Sequence, residues 1–221
     1  MTADPPLEPA PGPPARRPLL ARPAVTGLAG FVAGAVLVGV PWLVLTLLAG
    51  PSGGPLTAPP TLGGLSRAQD AIAKLDKAKG QATIDRIGKS DKEDTARVSA
   101  AYGGAGAVVQ QYQDDRLRRS VRLLAVRAPS PGLIAPYQDA EALGLAAPGT
   151  ELVRFGDVQC LVHHDPENAG SAPDPERSSV RVCQHTGPDL TVTLQSISSE
   201  GNRDPREFAG ILEEAWTILS R

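Results

Sequence analysis

One stretch near the start of the chain, Val25–Leu48, constrains everything that follows because it is apolar throughout. It contains no charged residue, and none occurs from there to Arg67. A helix needs roughly 20 apolar residues to cross the hydrocarbon of a bilayer, and this stretch is longer. A helix on the surface of a soluble core would carry a polar stripe, which this one lacks. The stretch therefore predicts a transmembrane helix over residues 24–49, with the lipid bilayer as its partner.

The charges beside this helix predict its orientation. Arg16, Arg17 and Arg22 precede it, whereas residues 50–66 contain neither Lys nor Arg. By the positive-inside rule, the N-terminus stays in the cytoplasm and the rest of the chain is exported. We therefore expect a single-pass protein of the cell membrane with an extracellular C-terminal domain. The apolar region exceeds the roughly 7–15 residues of a signal peptide, which favours a retained anchor over a cleaved leader.

Two glycines in the predicted helix, Gly30 and Gly34, have the spacing that lets two membrane helices approach closely. This spacing allows a homodimer through the transmembrane helix. Because glycine is common in membrane helices, lipid-facing filler is the simpler alternative.

Composition divides the chain into five predicted segments. They are a disordered, Pro-rich cytoplasmic tail (1–23), the transmembrane helix (24–49), a Pro/Gly linker (50–65), a helical stalk or edge segment (66–94) and an exported domain (95–221). Ser66 and Gln69 have capping-box spacing at the start of the stalk, and Gly80 would end its first helix.

The exported domain is expected to be α+β, with helices packed on an antiparallel or mixed sheet. Asp204–Leu219 has a capping residue, a proline at its first position and one apolar stripe, which predicts a helix. Other predictions are a short helix over Asp139–Gly144, strand or short helix over Ala107–Gln113, strands over Arg97–Gly103, Val121–Ala128, Leu152–Phe155 and Val158–Val162, and a hairpin of Val180–His185 with Leu190–Ile197.

Both cysteines, Cys160 and Cys183, fall on the exported side, where an oxidising environment favours a disulfide. Free thiols and a metal site remain alternatives, because His163, His164 and His185 are nearby. If the two cysteines face each other on antiparallel strands, His164 faces Ser179 and lies roughly 20 Å from His185. The two histidines could not then share one ion, so we expect no metal and no other cofactor.

Other polar residues could carry chemistry, but none lies in a recognisable catalytic context. His163 or His164 with Asp165 and a serine would suit nucleophilic catalysis, yet no G-x-S-x-G motif is present, and we assign no catalytic residue. The acidic loop (Asp165, Glu167, Asp174 and Glu176) lacks EF-hand spacing and predicts a solvated loop.

A basic cluster of Arg116, Arg118, Arg119 and Arg122 has two interpretations. It would bind anionic lipid headgroups or wall polymer, or it would protect an edge strand from pairing with another chain. The second needs no partner and is preferred.

Several phrases resemble an uncharacterised group of actinobacterial membrane-anchored proteins with an exported domain. They are AAYGG at Ala100–Gly104, LLAVRAPSPGL at Leu123–Leu133, GDVQCLV at Gly156–Val162 and VCQHTGPDLTV at Val182–Val192. The resemblance implies an anchored architecture and paired cysteines, and it implies no activity.

Net charge bears on function as well. A net charge of −2 is unlike that of a nucleic-acid-binding protein, so no nucleic acid is expected. The working hypothesis is a noncatalytic binding or accessory module that contacts an envelope protein or wall polymer. The alternative is a cell-wall-associated hydrolase, which would show a polar cleft joining a histidine to a carboxylate and a nucleophile.

Overall fold

The computed structural model describes residues 54–171, 174–198 and 201–221. The predicted transmembrane helix, with its flanking arginines, lies outside this part of the chain. Among the described residues, no helix combines the length and the apolar character that a membrane crossing requires.

The described chain contains one eight-stranded sheet in which every neighbouring pair of strands is antiparallel. The α+β prediction is confirmed, and the sheet is antiparallel rather than mixed. The strand order is β1-β2-β3-β4-β8-β7-β6-β5. The strands are β1 (Thr61–Leu62), β2 (Leu65–Arg67), β3 (Ala107–Gln113), β4 (Ser120–Val126), β5 (Thr150–Phe155), β6 (Val158–His164), β7 (Ser178–Thr186) and β8 (Thr191–Ser196).

The C-terminal helix, α2 (Pro205–Leu219), covers one face of this sheet as the sequence predicted. Asp204 caps it by accepting a hydrogen bond from the backbone N–H of Arg206 at 2.8 Å. Its apolar stripe is buried against the sheet. On the sheet, one row of buried residues crosses four neighbouring strands: Leu123 on β4, Leu194 on β8, Cys183 on β7 and Cys160 on β6.

The predicted disulfide between Cys160 and Cys183 is present. The two residues face each other across β6 and β7, with their Cα atoms 4.0 Å apart. Both are fully buried beneath α2, so the crosslink is part of the core.

The strand predicted over Arg97–Gly103 is wrong, because these residues continue a long helical segment, α1 (Ala68–Ala101). Gly103 and Gly104, expected to end a strand, end this helix in the left-handed conformation. The part of the helix after Gly80 has few apolar residues on any face, so periodicity gave no sign that the helix continues to Ala101. The short helix predicted over Asp139–Gly144 is also absent, and turns occupy its place.

The segment α1 reverses direction rather than running straight. Gln69 Nε2 lies 3.4 Å from Asp91 Oδ2, although 22 positions separate the two residues. A straight helix would place them about 33 Å apart. A Cβ at Gly80 would lie only 2.5 Å from Ile72 Cγ2, so the turn lies between these two residues. Residues 68–75 form a first arm and residues 80–101 a second.

The second arm lies along residues 107–111 of β3, on the edge opposite β4, where β2 does not extend. The backbone N–H of Val109 donates to Thr95 Oγ1 at 2.8 Å, and that of Gln111 donates to Asp91 Oδ2 at 3.3 Å. Side chains of the helix thus take the place of a neighbouring strand, which satisfies the edge donors. Burial raises the pKa of Asp91, although hydrogen bonds from Gln111 act in the opposite direction.

Residues at the end of the predicted linker are also part of this domain. Leu56, Ala58 and Leu62 are buried, and Tyr112 donates a hydrogen bond of 2.7 Å to the carbonyl of Pro59. Burial raises the pKa of Tyr112. Composition alone suggested a free linker over 50–65, because its few apolar residues are isolated among Pro and Gly.

Candidate functional site

A cleft lined by several charged residues lies where three neighbouring strands meet, at the start of β5, the end of β6 and the start of β7. Its volume is about 100 Å³. Loops before β5 and between β6 and β7 close its sides. The lining residues are Ala146, Ala147, Glu151, His164, Asp165, Glu167, Asp174, Arg177 and Ser178.

At the centre of the cleft, His164 joins a hydroxyl to a carboxylate. Its Nδ1 lies 2.8 Å from Ser178 Oγ, and its Nε2 lies 3.2 Å from Glu151 Oε2. Each residue comes from a different strand, so the sheet itself fixes the arrangement. A base held between a hydroxyl and a carboxylate is the geometry of nucleophilic catalysis, and it is equally a ready set of donors and acceptors for a ligand.

Ser178 reaches His164 because β7 contains an irregularity. Leu161 pairs with Val182 and Val162 pairs with Val180, so Arg181 has no partner on β6. The extra residue shifts the register, so that His164 faces Ser178. The sequence had predicted Ser179 at this position. The shift keeps Val180 in the core, where it is fully buried.

Beside this group, Glu167 and Arg177 form the charged wall of the cleft. Glu167 Oε1 lies 3.8 Å from Arg177 Nε and accepts a hydrogen bond of 3.4 Å from the N–H of Asp174. The other oxygen, Oε2, is buried and has no hydrogen-bond partner among the described residues. Burial of an unsatisfied carboxylate oxygen is costly, and this oxygen is closed to solvent.

The three histidines do not come together. His163 Nε2 lies 3.8 Å from Asp165 Oδ1, and His185 stacks on Trp216 with ring centroids 3.6 Å apart. His164 and His185 each lie near the C-terminal end of their strand, and because β6 and β7 are antiparallel, these ends are at opposite ends of the pair, as the cysteine pairing predicted. Within the described ranges, no group of three or more His, Cys, Asp or Glu side chains has the arrangement of a metal site.

The acidic loop is not simply solvated, because three of its four acids line the cleft: Asp165, Glu167 and Asp174. Glu176 instead pairs with Arg203 at 3.7 Å. The basic cluster is dispersed. Arg119 binds Glu207 of α2 at 2.6 Å, and Arg122 lies 3.6 Å from Asp94 of α1, so both arginines hold a helix to the sheet.

Sequence reasoning missed Glu151 and Ser178, and it named His164 without its partners. Glu151 precedes His164 by 13 positions and Ser178 follows it by 14, so no local motif connects them. Strand pairing alone brings them together. The topology determinants Arg16, Arg17 and Arg22 and the helix-contact residues Gly30 and Gly34 lie outside the described residues.

Comparison with known proteins adds no further assignment. The sequence matches no protein-family model, and neither a curated protein nor a solved structure is significantly similar to it. Function must therefore be argued from the cleft.

Proposed function

We propose that this chain is a membrane-anchored, noncatalytic binding module whose exported domain holds a cationic group of its ligand in the cleft. The observation that carries the proposal is the set of four carboxylates that line the cleft beside a single guanidinium. An ammonium or guanidinium group entering the cleft would donate hydrogen bonds to these carboxylates and partly neutralise their charge.

The charge of the lining supports a cationic ligand. Four carboxylates line the cleft, and Arg177 is the one guanidinium among the lining residues. At the short distances of such a cavity, an added positive charge is attracted to several carboxylates at once. The cleft itself, of about 100 Å³, has room for the end of a side chain, and a more open cavity of about 310 Å³ adjoins it at Glu167, Asp174 and Arg177.

Binding of simple cations to the full chain in nanodiscs of neutral lipid tests this proposal. We expect lysine methyl ester to bind, and its Nε-acetylated form to bind at least about tenfold more weakly because it lacks the charge. Glu167→Gln, which keeps the shape of the side chain, should weaken binding of the charged form to a similar degree. Glu141→Gln, at an exposed position outside the cleft, is the matched control. Equal affinity for the two esters would contradict the proposal.

A second candidate, a cell-wall-associated hydrolase, is favoured by the contact of His164 with Ser178 and Glu151. The charge of the cleft opposes it. Attack by Ser178 on a carbonyl would create an oxyanion among four carboxylates, where catalysis requires donors or positive charge. Arg177 could supply that charge, but its Nε pairs with Glu167 and its Nη2 donates to the carbonyl of Pro166 at 3.3 Å.

Labelling with a fluorophosphonate distinguishes the two candidates. The noncatalytic proposal predicts no covalent labelling of the full chain and no change in lysine ester binding beyond about threefold for Ser178→Ala, because the hydroxyl carries no charge. Labelling that Ser178→Ala abolishes would identify the protein as a hydrolase instead.

The location of the domain is part of the same proposal. The arginines before Val25–Leu48 support a cytoplasmic N-terminus and an exported C-terminal domain. Protease added to intact spheroplasts should therefore digest the C-terminal domain. Protection of this domain would contradict the topology, without bearing on the chemistry of the cleft.

A further inference from the structure

Three arginines line a second cavity, of about 300 Å³, beside the cleft. It lies where the turn before β7, the first half of β7 and the residues before α2 come together. We call it the arginine cavity, and its donors belong to Arg177, Arg181, Arg203, Ser178 and Ser179. Guanidinium and hydroxyl groups donate hydrogen bonds, so this lining suits an anion.

The irregularity of β7 places Arg181 in this cavity. Arg181 is the residue that has no partner on β6, and irregularities of this kind often direct a side chain towards a binding site. The residue is exposed, and its guanidinium forms no ion pair within the part of the chain that the structure describes. Arg181 therefore presents a positive charge and several N–H donors to a ligand.

Arg203 is held beside β7 by the residue that precedes it. Asn202 is only 1% exposed, and its carbonyl accepts a hydrogen bond of 2.8 Å from the N–H of Val180. Its side chain accepts from Arg119 Nε at 2.8 Å and donates to the carbonyl of Ser198 at 2.9 Å. The backbone that carries Arg203 is thus fixed before a ligand arrives, which lowers the entropy lost on binding.

Two carboxylates share the cavity and leave it with an excess of positive charge. Glu176 Oε2 lies 3.7 Å from Arg203 Nη1, and the side chains of Glu176 and Arg203 are 84% and 50% exposed. An ion pair so open to water is weak, so an anion displaces Glu176 from Arg203 at little cost. The other carboxylate, Asp165, lies 3.8 Å from His163 Nε2.

The number and the directions of the donors favour a tetrahedral anion. A carboxylate is planar, and a single guanidinium that binds both of its oxygens satisfies it. A phosphate group has acceptor oxygens in more directions, so several guanidinium and hydroxyl groups bind it together. Arginines that come from three separate positions in the chain match a phosphate better than a carboxylate.

We infer that the arginine cavity binds a phosphate group, which Arg181 and Arg203 hold between them. Arg177 adds positive charge but is partly engaged, because its Nη2 donates to the carbonyl of Pro166 at 3.3 Å. The phosphate is free in solution, part of a wall polymer or part of a lipid headgroup, and the recognition chemistry is the same. The site goes beyond the cation site proposed for the cleft and does not depend on it.

Binding of inorganic phosphate to the full chain tests this inference. Micelles of dodecyl maltoside are a suitable medium because this detergent contains no phosphate, and sodium chloride holds the ionic strength constant. Calorimetry at pH 7 should show saturable binding of phosphate, and acetate should bind at least about fivefold more weakly. Absence of phosphate binding, or equal binding of acetate, would overturn the inference.

Loss of one guanidinium should weaken the site. Arg181→Gln should reduce the affinity for phosphate by about tenfold, because it removes a positive charge that no carboxylate holds. Arg86→Gln, at an exposed position on the second arm of α1, removes the same charge outside the cavity and should change the affinity by less than about twofold. Equal losses in the two variants would show a general effect of charge and contradict the site.

Removal of the competing carboxylate should have the opposite effect. Glu176→Gln releases Arg203 and should tighten phosphate binding by about threefold or more. Glu141→Gln, at an exposed position outside the cavity, adds the same charge and is the matched control. A gain of affinity cannot result from misfolding, so this pair decides the question even if Arg181→Gln is unstable. Equal affinities of the two glutamine variants would overturn the inference.

Two further probes identify the source of the phosphate. They are a short oligomer of glycerol phosphate and phosphatidylglycerol added to the micelles. Tighter binding of either probe than of inorganic phosphate, lost in Arg181→Gln, supports the site and assigns its ligand to a wall polymer or to a lipid headgroup. If phosphate binds but lysine methyl ester does not, the cation proposal fails and the phosphate site stands. If the ester binds and phosphate does not, only the phosphate site fails.

Discussion

The two arms of α1 approach each other closely because residue 80 is a glycine and has no Cβ. At Gly80 the backbone of the second arm approaches Ile72 so closely that a Cβ would lie 2.5 Å from its Cγ2. The Cγ2 atom of Ile72 is bonded directly to Cβ in a β-branched side chain. It therefore cannot move away as the end of a long, flexible side chain would. At Gly88, the space for a Cβ is ordinary, with Gln69 Nε2 at 3.7 Å.

Alanine at these two glycines should therefore change stability in opposite directions. Gly80→Ala should destabilise the protein by about 1–2 kcal/mol, because overpacking outweighs the gain in helix propensity. Gly88→Ala should stabilise it by up to about 1 kcal/mol, because only the propensity term remains. Urea denaturation of the full chain, followed by circular dichroism, measures both. Equal effects at the two sites would contradict the reversal of α1 between Ile72 and Gly80.

Among the elements, the second arm of α1 has the most unusual role, because it covers a strand edge with side chains. Thr95 is central to this role: its hydroxyl accepts from the N–H of Val109 and donates to the carbonyl of Asp91 at 2.7 Å. If the second arm did not cover it, this part of β3 would present unpaired backbone donors to other chains.

Replacing the Thr95 hydroxyl by a methyl group isolates this contribution. Thr95→Val keeps the size of the side chain but leaves the N–H of Val109 without its acceptor, which should cost about 1–3 kcal/mol. The amide of Val109 should also exchange its hydrogen faster. Thr95→Ser keeps the hydroxyl and should retain the protection of this amide. Loss of protection in both variants would show that the hydroxyl is not the relevant group.

Elements whose own residues show a hydrophobic pattern could be predicted from the sequence. Elements that are held in place by contacts with a neighbouring element could not. The hairpin of β7 with β8 and the apolar stripe of α2 could be recognised in those segments alone, and both predictions are confirmed. The second arm of α1 has no such stripe. It is fixed by polar bonds to β3, so the residues 97–103 resembled a strand when taken by themselves.

For the candidate site, the sequence predicted the cysteine pairing and therefore the region of His164. It could not predict Ser178 or Glu151, because their approach depends on the irregular pairing of β7 and on the position of β5. The connection between β4 and β5 has no periodic pattern, so the position of its Ala146 and Ala147 in the wall of the cleft followed only from the structure.

At the scale of the whole molecule, the disulfide joins the two strands on either side of the acidic loop. It links residues 23 positions apart, for which the loop-entropy relation gives about 3 kcal/mol of stabilisation. Cys160→Ala combined with Cys183→Ala should therefore unfold at a clearly lower urea concentration than the oxidised wild type. The wild type unfolded and refolded with reductant should lose a similar amount. Identical unfolding curves with and without reductant would contradict this contribution.

The unpaired Arg181 has a consequence for how chains of this kind are compared. Each half of β7 keeps its own inward-facing residues, Val180 before the irregularity and Cys183 after it. Loss of Arg181 would leave both sets of pairs unchanged. Two relatives that differ in length by one residue here would therefore share the same cleft. An alignment that counts positions back from Cys183 without a gap would match Ser178 to the wrong residue.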